Sequence, residues 1–213
     1  MRADVAVHVG DDRPRPVLPR VLIADAGGAP IRLPPPLRAG ILLRDIDLAS
    51  VVERAANGEG VMAIDLDSVR GMESDEAAGD FLMGTLGIQI VMTRRAHVAT
   101  HVAARGGLGL LHALAFDSTG LTRALEGSPP VAGVGTVVSP GAVLPHMRPS
   151  ELEQLARPIV AYGLLTRTAD VLDCLELADC VVLRQDVADA LAATARDITQ
   201  PVRNPLTTVA SEE

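Results

Sequence analysis

The sequence predicts a small (β/α)8 TIM-type barrel, and three observations carry that prediction. From residue 41 onward, apolar strand-like runs alternate strictly with amphipathic helical runs, which implies a parallel sheet. Hydrophobic residues make up 48% of the chain and aromatic residues only 1%. The core must therefore be built from Ala, Val, Leu and Ile, a mixture suited to parallel strands covered by helices. The 213 residues lie near the small end of the range for eight βα units. An open doubly wound sheet satisfies the same periodicity and is the alternative.

Residues 1–16 are polar and rich in Pro and Arg, and read as a loose arm. The barrel domain is placed at 17–198 and a polar tail at 199–213. PVLPRVLIA, 16–24, is a strand. Across GGAPIRLPPPLRAG, 27–40, an alternating fold calls for a helix, but the prolines and glycines exclude one. The first helix is thus replaced by a proline-rich crossover.

ILLRDI is the second strand, followed by helix DLASVVERAANG with Asp47 as N-cap and Gly58 as stop. VMAIDL is a strand and SDEAAGDFLMGTLG a helix, with Ser74 read as its cap and acids in its first turn. IQIVMT and LGLLHALAF are strands on either side of the helix RRAHVATHVAARGG. DSTGLTRALEG is a short helix, VAGVGTVV a strand, and PSELEQLARP a helix opened by Ser150. IVAYGLL, RTADVLDCLELA, CVVLRQ and DVADALAATARDI complete the alternation, for eight strands and seven helices.

A barrel of this kind places its ligand at the C-terminal strand ends. Those ends carry Arg44, Asp45 and Asp47 on strand two, Asp65 and Asp67 on strand three, and Thr93, Arg94 and Arg95 on strand four. Strand five carries His112, then Asp117 and Ser118, and strand eight ends in Arg184 and Gln185. Carboxylates therefore gather on one side of the mouth. Arginines and glycine-bearing loops gather on the other. On that second side Gly163 lets backbone approach a ligand, and the next helix opens near Arg167 and Thr168. Arg167 or Arg184 would add bidentate contacts to phosphate; the simpler reading leaves both solvated.

The formal charge is −8, and all 19 cationic residues are Arg. Without lysine, aldolase-type Schiff-base chemistry is excluded. The acidic balance opposes a broad patch for phosphate backbones, though a local arginine cluster survives it. Cys174 and Cys180 lack CxxC spacing and read as two buried thiols. The N-terminus has no secretory pattern and no apolar run reaches the roughly 18 residues a membrane span needs. A cytoplasmic protein without membrane association is expected, and a homo-oligomer is compatible with the composition.

Five segments, DLDSVRGMESDEAAGDFL at 65–82, TR at 93–94, FDS at 116–118, SPGAVLPHM at 139–147 and YGLLTRTADV at 162–171, together resemble the glycerol-3-phosphate-responsive antiterminator family. Their order and spacing match across about residues 41–190. The resemblance implies a small (β/α) barrel that binds glycerol 3-phosphate and acts on the leader mRNA of a glycerol-utilisation transcript so that transcription passes a terminator. It implies no catalytic residue and no cofactor. Carried over residue by residue, Asp67 would accept hydrogen bonds from glycerol hydroxyls, Thr93 and Arg94 would line the same mouth, and Gly163 would belong to the phosphate loop, with Arg167 beside it. Asp65 stands where the family commonly has histidine, and His112 where it has arginine. The 139–147 loop is one residue longer, and basic residues are scarcer.

Other readings start from the same residues. Asp45, Asp47, Asp65 and Asp67 could hold Mg²⁺ in an enzyme acting on a small phosphorylated substrate, with His112 as base. A ligand-sensing barrel with a protein partner is a third class. His97 and His101 have zincin spacing but lack the glutamate, HVATH standing where HExxH is required. His146 falls on the loop after strand six, as a loop residue or a ligand contact. RNA contacts are unassigned, with the Arg-rich 13–20 stretch, Arg32, Arg38 and Arg94–Arg95 as candidates. With no aromatic platform, RNA recognition would rest on arginine and shape.

Overall fold

The computed structural model describes residues 16–25, 39–58, 60, 62–126, 131 and 133–199. Apart from their edges, the arm, the proline-rich crossover and the polar tail lie outside the described residues, as do Arg13, Arg15, Arg32 and Arg38.

Eight strands form one closed parallel barrel: β1 (Val21–Asp25), β2 (Ala39–Leu43), β3 (Met62–Asp65), β4 (Ile90–Thr93), β5 (Leu108–Leu114), β6 (Val134–Ser139), β7 (Ile159–Tyr162) and β8 (Cys180–Leu183). Closure is made by β1, whose Val21–Ile23 pairs with Ala39–Ile41 on one side and Val181–Leu183 on the other. The helices are α1 (Leu48–Ala56), α2 (Glu76–Gly84), α3 (Ala96–Ala104), α4 (Ser118–Glu126), α5 (Pro149–Leu152), α6 (Thr168–Leu177) and α7 (Gln185–Thr199). The alternation read from the sequence is the alternation of the fold, and the open sheet is ruled out by the β1–β8 pairing.

Strand alternation divides each strand between two cores. Leu22, Leu42, Ala63, Met92, Leu110 and Val160 belong to the cluster that fills the barrel. The intervening positions pack outward under the helices, Ile41, Leu43, Ile64 and Val91 beneath α1–α3, and Val138, Ala161 and Val181 beneath α6 and α7. With so few aromatics, the interior depends on close backbone approach. A Cβ at Gly109 would lie 2.1 Å from the Ala99 carbonyl oxygen, so α3 rests directly on β5.

Arg20 fastens the floor. Its guanidinium donates to the carbonyls of Leu175 (2.7 Å), Ala178 (2.9 Å) and Asp179 (3.3 Å) at the end of α6, where the helix leaves acceptors unpaired and favours positive charge.

Several boundaries differ from the sequence reading, and each has a local cause. Asp47 caps α1 as expected, accepting from the Ser50 amide at 2.9 Å, and Gly58 follows that helix at φ +66°. At α2 the cap is Asp75, which accepts from the Ala78 amide at 2.8 Å, rather than Ser74. Ser74 is drawn into the barrel mouth instead. The helix placed from Ser150 opens at Pro149 and lasts four residues; the Glu151 carboxylate takes the Arg148 amide at 2.8 Å. Strand two stops before Arg44 because Asp45 turns to φ +52°, and strand seven stops at Tyr162 because Gly163 and Leu164 take φ +89° and +58°. Both cysteines are buried and free. No helix among the described residues is long and apolar enough to cross a membrane.

Candidate functional site at the barrel mouth

Continuing the interior period of two past the last apolar layer identifies the mouth. Leu42 leads to Arg44, Ala63 to Asp65, Leu110 to His112 and Val160 to Tyr162. These four side chains, with Arg94 from the loop after β4, form one electrostatic cluster. Asp65 feels Asp67, Arg44, Asp45 and Arg94, and His112 feels Asp67, Arg94 and Arg44.

Asp67 sits one residue into a 3-10 turn, Leu66–Ser68, that ends the alternation of β3. Its carboxylate is only 8% exposed and both oxygens are engaged by the chain. Oδ1 accepts from the Ser74 hydroxyl and from Thr93 Oγ1 at 3.1 Å. Oδ2 accepts from the Arg94 amide at 2.5 Å and from Arg94 Nε at 3.2 Å. Four donors use the usual capacity of a carboxylate. Burial alone would raise its pKa, but hydrogen bonds from Ser74, Arg94 and Thr93 hold it below the ordinary carboxylate value. Asp67 is thus a strut that binds the β3 turn to the head of α2 and the end of β4.

Asp65 is its opposite. Among the described residues its carboxylate takes no hydrogen bond, although its backbone carbonyl accepts from the Ser68 hydroxyl at 2.8 Å. Burial, and then the neighbouring charge of Asp67, push its pKa up to about 6. An unengaged carboxylate facing the mouth is a standing acceptor for hydroxyl groups.

Tyr162 occupies the middle of the cluster. Its hydroxyl accepts from Arg44 Nη1, a contact that crosses from β2 to β7 above β1 and β8. The Arg44 guanidinium carbon lies 5.5 Å from the Tyr162 ring centroid, and the His112 ring centroid lies 5.8 Å from it. Burial raises the Tyr162 phenol to about 12 and lowers the His112 imidazole to about 4, so both are neutral near pH 7. Asp45, exposed and left-handed, receives Arg44 Nε at 2.7 Å. Its backbone is held by Ser68 Oγ at 3.0 Å and Arg70 Nη1 at 2.8 Å.

The strand seven and eight side looks different. Arg167 is 78% exposed and bidentate to Asp170, at 3.1 and 2.6 Å. Arg184 is 74% exposed and engages both oxygens of Asp186. Neither touches Asp67, Thr93 or Arg94. Gly163 lines an open turn where a Cβ would meet nothing within 4 Å, and its carbonyl accepts from the Gly141 amide at 3.0 Å. His146 is exposed at the end of the turn after β6. A cavity of about 550 Å³ lies instead on the β3–β4 side, lined by Leu66, Asp67, Met72, Ser74, Arg94 and Arg95 among others.

Thr93, Arg94 and Asp67 are therefore brought together, with Asp65, Asp45 and His112 beside them. Arg44 and Tyr162 are mouth residues that the sequence reading left off its site. The period of two was their signal. Of the four carboxylates weighed for Mg²⁺, Asp47 caps α1 and Asp67 is filled by the chain, and among the described residues no three His, Cys, Asp or Glu side chains converge. His101 is committed to Asp80 at 2.9 Å on the outer α2–α3 surface, while His97 is exposed.

Comparison with known proteins agrees with this fold. The family described as glycerol-3-phosphate responsive antiterminator matches residues 39–198. No curated protein matches the chain. The glycerol uptake operon antiterminator-related protein of Thermotoga maritima MSB8 superposes with a TM-score of 0.62 at 17% identity, covering 80% of this chain and 99% of that one. The glycerol uptake operon antiterminator regulatory protein of Listeria monocytogenes str. 4b F2365 gives 0.59 at 19% identity, covering 67% and 79%. Phosphoribosylanthranilate isomerase of Thermotoga maritima gives 0.52 at 11% identity, covering 84% and 100%. At such identities the structural likeness shows the fold alone. The family match spans the barrel from β2 to α7 and places the chain among regulators rather than catalysts: the protein belongs to the glycerol-3-phosphate responsive antiterminator family.

Proposed function

We propose that the protein senses glycerol 3-phosphate at the barrel mouth and, when liganded, acts as an antiterminator on the leader mRNA of a glycerol-utilisation operon. The observation that carries this reading is the family match through residues 39–198, which takes in every mouth residue. In this reading Asp65, with its carboxylate unengaged, receives the glycerol hydroxyls, and the mouth arginines receive the phosphate. Asp67 works at one remove by holding Arg94 and Thr93. No cofactor takes part.

Sensing needs only that the ligand favour the RNA-competent form over the other. Micromolar affinity corresponds to about −8 kcal/mol. Spread over the roughly ten heavy atoms of glycerol 3-phosphate, that falls within the efficiency ceiling for small ligands. On the RNA side, Arg95 beside the mouth and Phe116 after β5, exposed at 76%, offer a cation and one aromatic face.

The test is binding of the full chain to the leader transcript of a glycerol-uptake operon, with and without glycerol 3-phosphate, across a salt series. The expected result is affinity that rises with the ligand and falls steeply with salt. RNA affinity indifferent to the ligand would refute the proposal. A ligand-dependent output through a protein partner would then be the remaining sensor class.

A further inference from the structure

We propose that Arg44 and Tyr162 form the seat for the ligand's anionic group, facing Arg94 across the mouth, in place of the strand seven and eight loops. This rests on the reading that the mouth takes glycerol 3-phosphate, and it assigns the phosphate end of that ligand.

Donor accounting supports the seat. A guanidinium has five N–H bonds. Arg44 hydrogen-bonds through two, Nε to Asp45 and Nη1 to the Tyr162 oxygen, and its Nη2 lies in an ion pair with Asp45. At least two N–H bonds remain. Since the Tyr162 hydroxyl accepts from Arg44, its own proton stays free to donate, and the raised phenol pKa keeps that proton in place. Among the described residues the Arg94 side chain commits only Nε, to Asp67, which leaves its terminal nitrogens available. Both arginines lie near enough to Asp65 and His112 to act on their charges, so they share one mouth. An oxyanion between them would meet charge-assisted donors from two sides.

The seat is also held in advance. The left-handed Asp45 backbone is pinned by Ser68 and Arg70, and its carboxylate fixes the Arg44 head over the Tyr162 ring. Less side-chain freedom is then lost on binding. The arginines of the rival seat are 78% and 74% exposed, and among the described residues neither touches a residue of the mouth cluster.

The chain contains one tyrosine and no tryptophan, so its intrinsic emission reports Tyr162 alone. The experiment titrates the full chain with glycerol 3-phosphate and, separately, inorganic phosphate, following Tyr162 emission and calorimetric heat. It is repeated on Arg44→Gln, Arg44→Lys, Tyr162→Phe and Gly163→Val, with thermal melts to establish folding. Expected are a saturable emission change in the wild type and roughly 30-fold weaker glycerol 3-phosphate binding in Arg44→Gln. Arg44→Lys should restore part of it. Tyr162→Phe, which removes one hydroxyl, should weaken binding several-fold and serves alone if Arg44→Gln does not fold.

If the wild type binds but Arg44→Gln and Tyr162→Phe stay within threefold while Gly163→Val loses affinity, the seat is overturned and the ligand reading survives. If only inorganic phosphate binds, and does so through Arg44, the seat stands and the ligand reading fails. If neither anion binds, both are overturned.

Discussion

Replacing Asp65 with asparagine should stabilise the unliganded protein. Its carboxyl rises from 3.8 to about 6, chiefly by burial and then by the charge of Asp67. That is somewhat more than two pH units, and at 1.36 kcal/mol per unit the ionised group costs the fold about 3 kcal/mol. Below pH 4 both folded and unfolded chains carry the proton, and the cost vanishes. Between about 4 and 6 the folded chain holds a proton that the unfolded chain has lost, so stability falls as pH rises. Above 6 the full cost remains. A carboxamide at this position keeps the shape without the charge. Asp65→Asn should therefore melt roughly 6–12 °C higher than wild type at pH 7.5, for a chain of this length. The gap should close toward pH 4.

His112 complicates the wild-type curve in a useful way. Its imidazole is lowered from 6.5 to about 4 by burial, so acid favours the unfolded chain between those values and stability rises with pH. The two trends oppose each other over nearly the same window, and the wild type should be almost flat there. Asp65→Asn should unmask the His112 rise. Urea denaturation followed by circular dichroism at several pH values between 4 and 8 measures both. Equal stability of variant and wild type at pH 7.5, or a gap that persists at pH 4, would refute the electrostatic account of the mouth.

Asp67→Ala should cost roughly 2–4 kcal/mol in urea denaturation, because four donors lose their acceptor. Gly109→Ala should cost about 1–3 kcal/mol, since α3 must retreat from β5 to admit the methyl; an unchanged melt would contradict the close packing. Arg20→Ala, which strips three hydrogen bonds from the end of α6, should lower stability by about 1 kcal/mol and leave ligand affinity within twofold. Phe116→Ala should weaken leader RNA binding and spare glycerol 3-phosphate binding; loss of both would move Phe116 into the ligand site.

Most of the architecture could be read because each βα unit declares itself locally. Alternating apolar runs, Asp47 before α1 and Gly58 after it are short-range signals, and seven such units in a row leave few ways to pack. The mouth was legible only in part. Arg44 and Tyr162 lie two residues beyond Leu42 and Val160, so parity points to both; the sequence places Arg44 at the mouth without a ligand role, and Tyr162 only inside a family motif. Asp67 illustrates the converse limit. An i, i+2 spacing implies a shared face only while the strand continues, and the 3-10 turn at Leu66–Ser68 ends it. Ser74 reads locally as a helix cap, yet a carboxylate seven residues earlier claims its hydroxyl, leaving Asp75 to cap α2. Arg167 and Arg184 sit after strands as a phosphate seat requires, and each also pairs with an acid in the following helical turn, Asp170 and Asp186. Such competition is settled by tertiary distance, which spacing along the chain does not contain.

Calorimetric titration of the full chain with glycerol 3-phosphate bears most directly on the whole account. One saturable site per chain with micromolar affinity, markedly weakened by Asp65→Asn despite that variant's higher melting point, is the expected result. An absence of heat up to millimolar ligand, in protein shown to be folded, would contradict it.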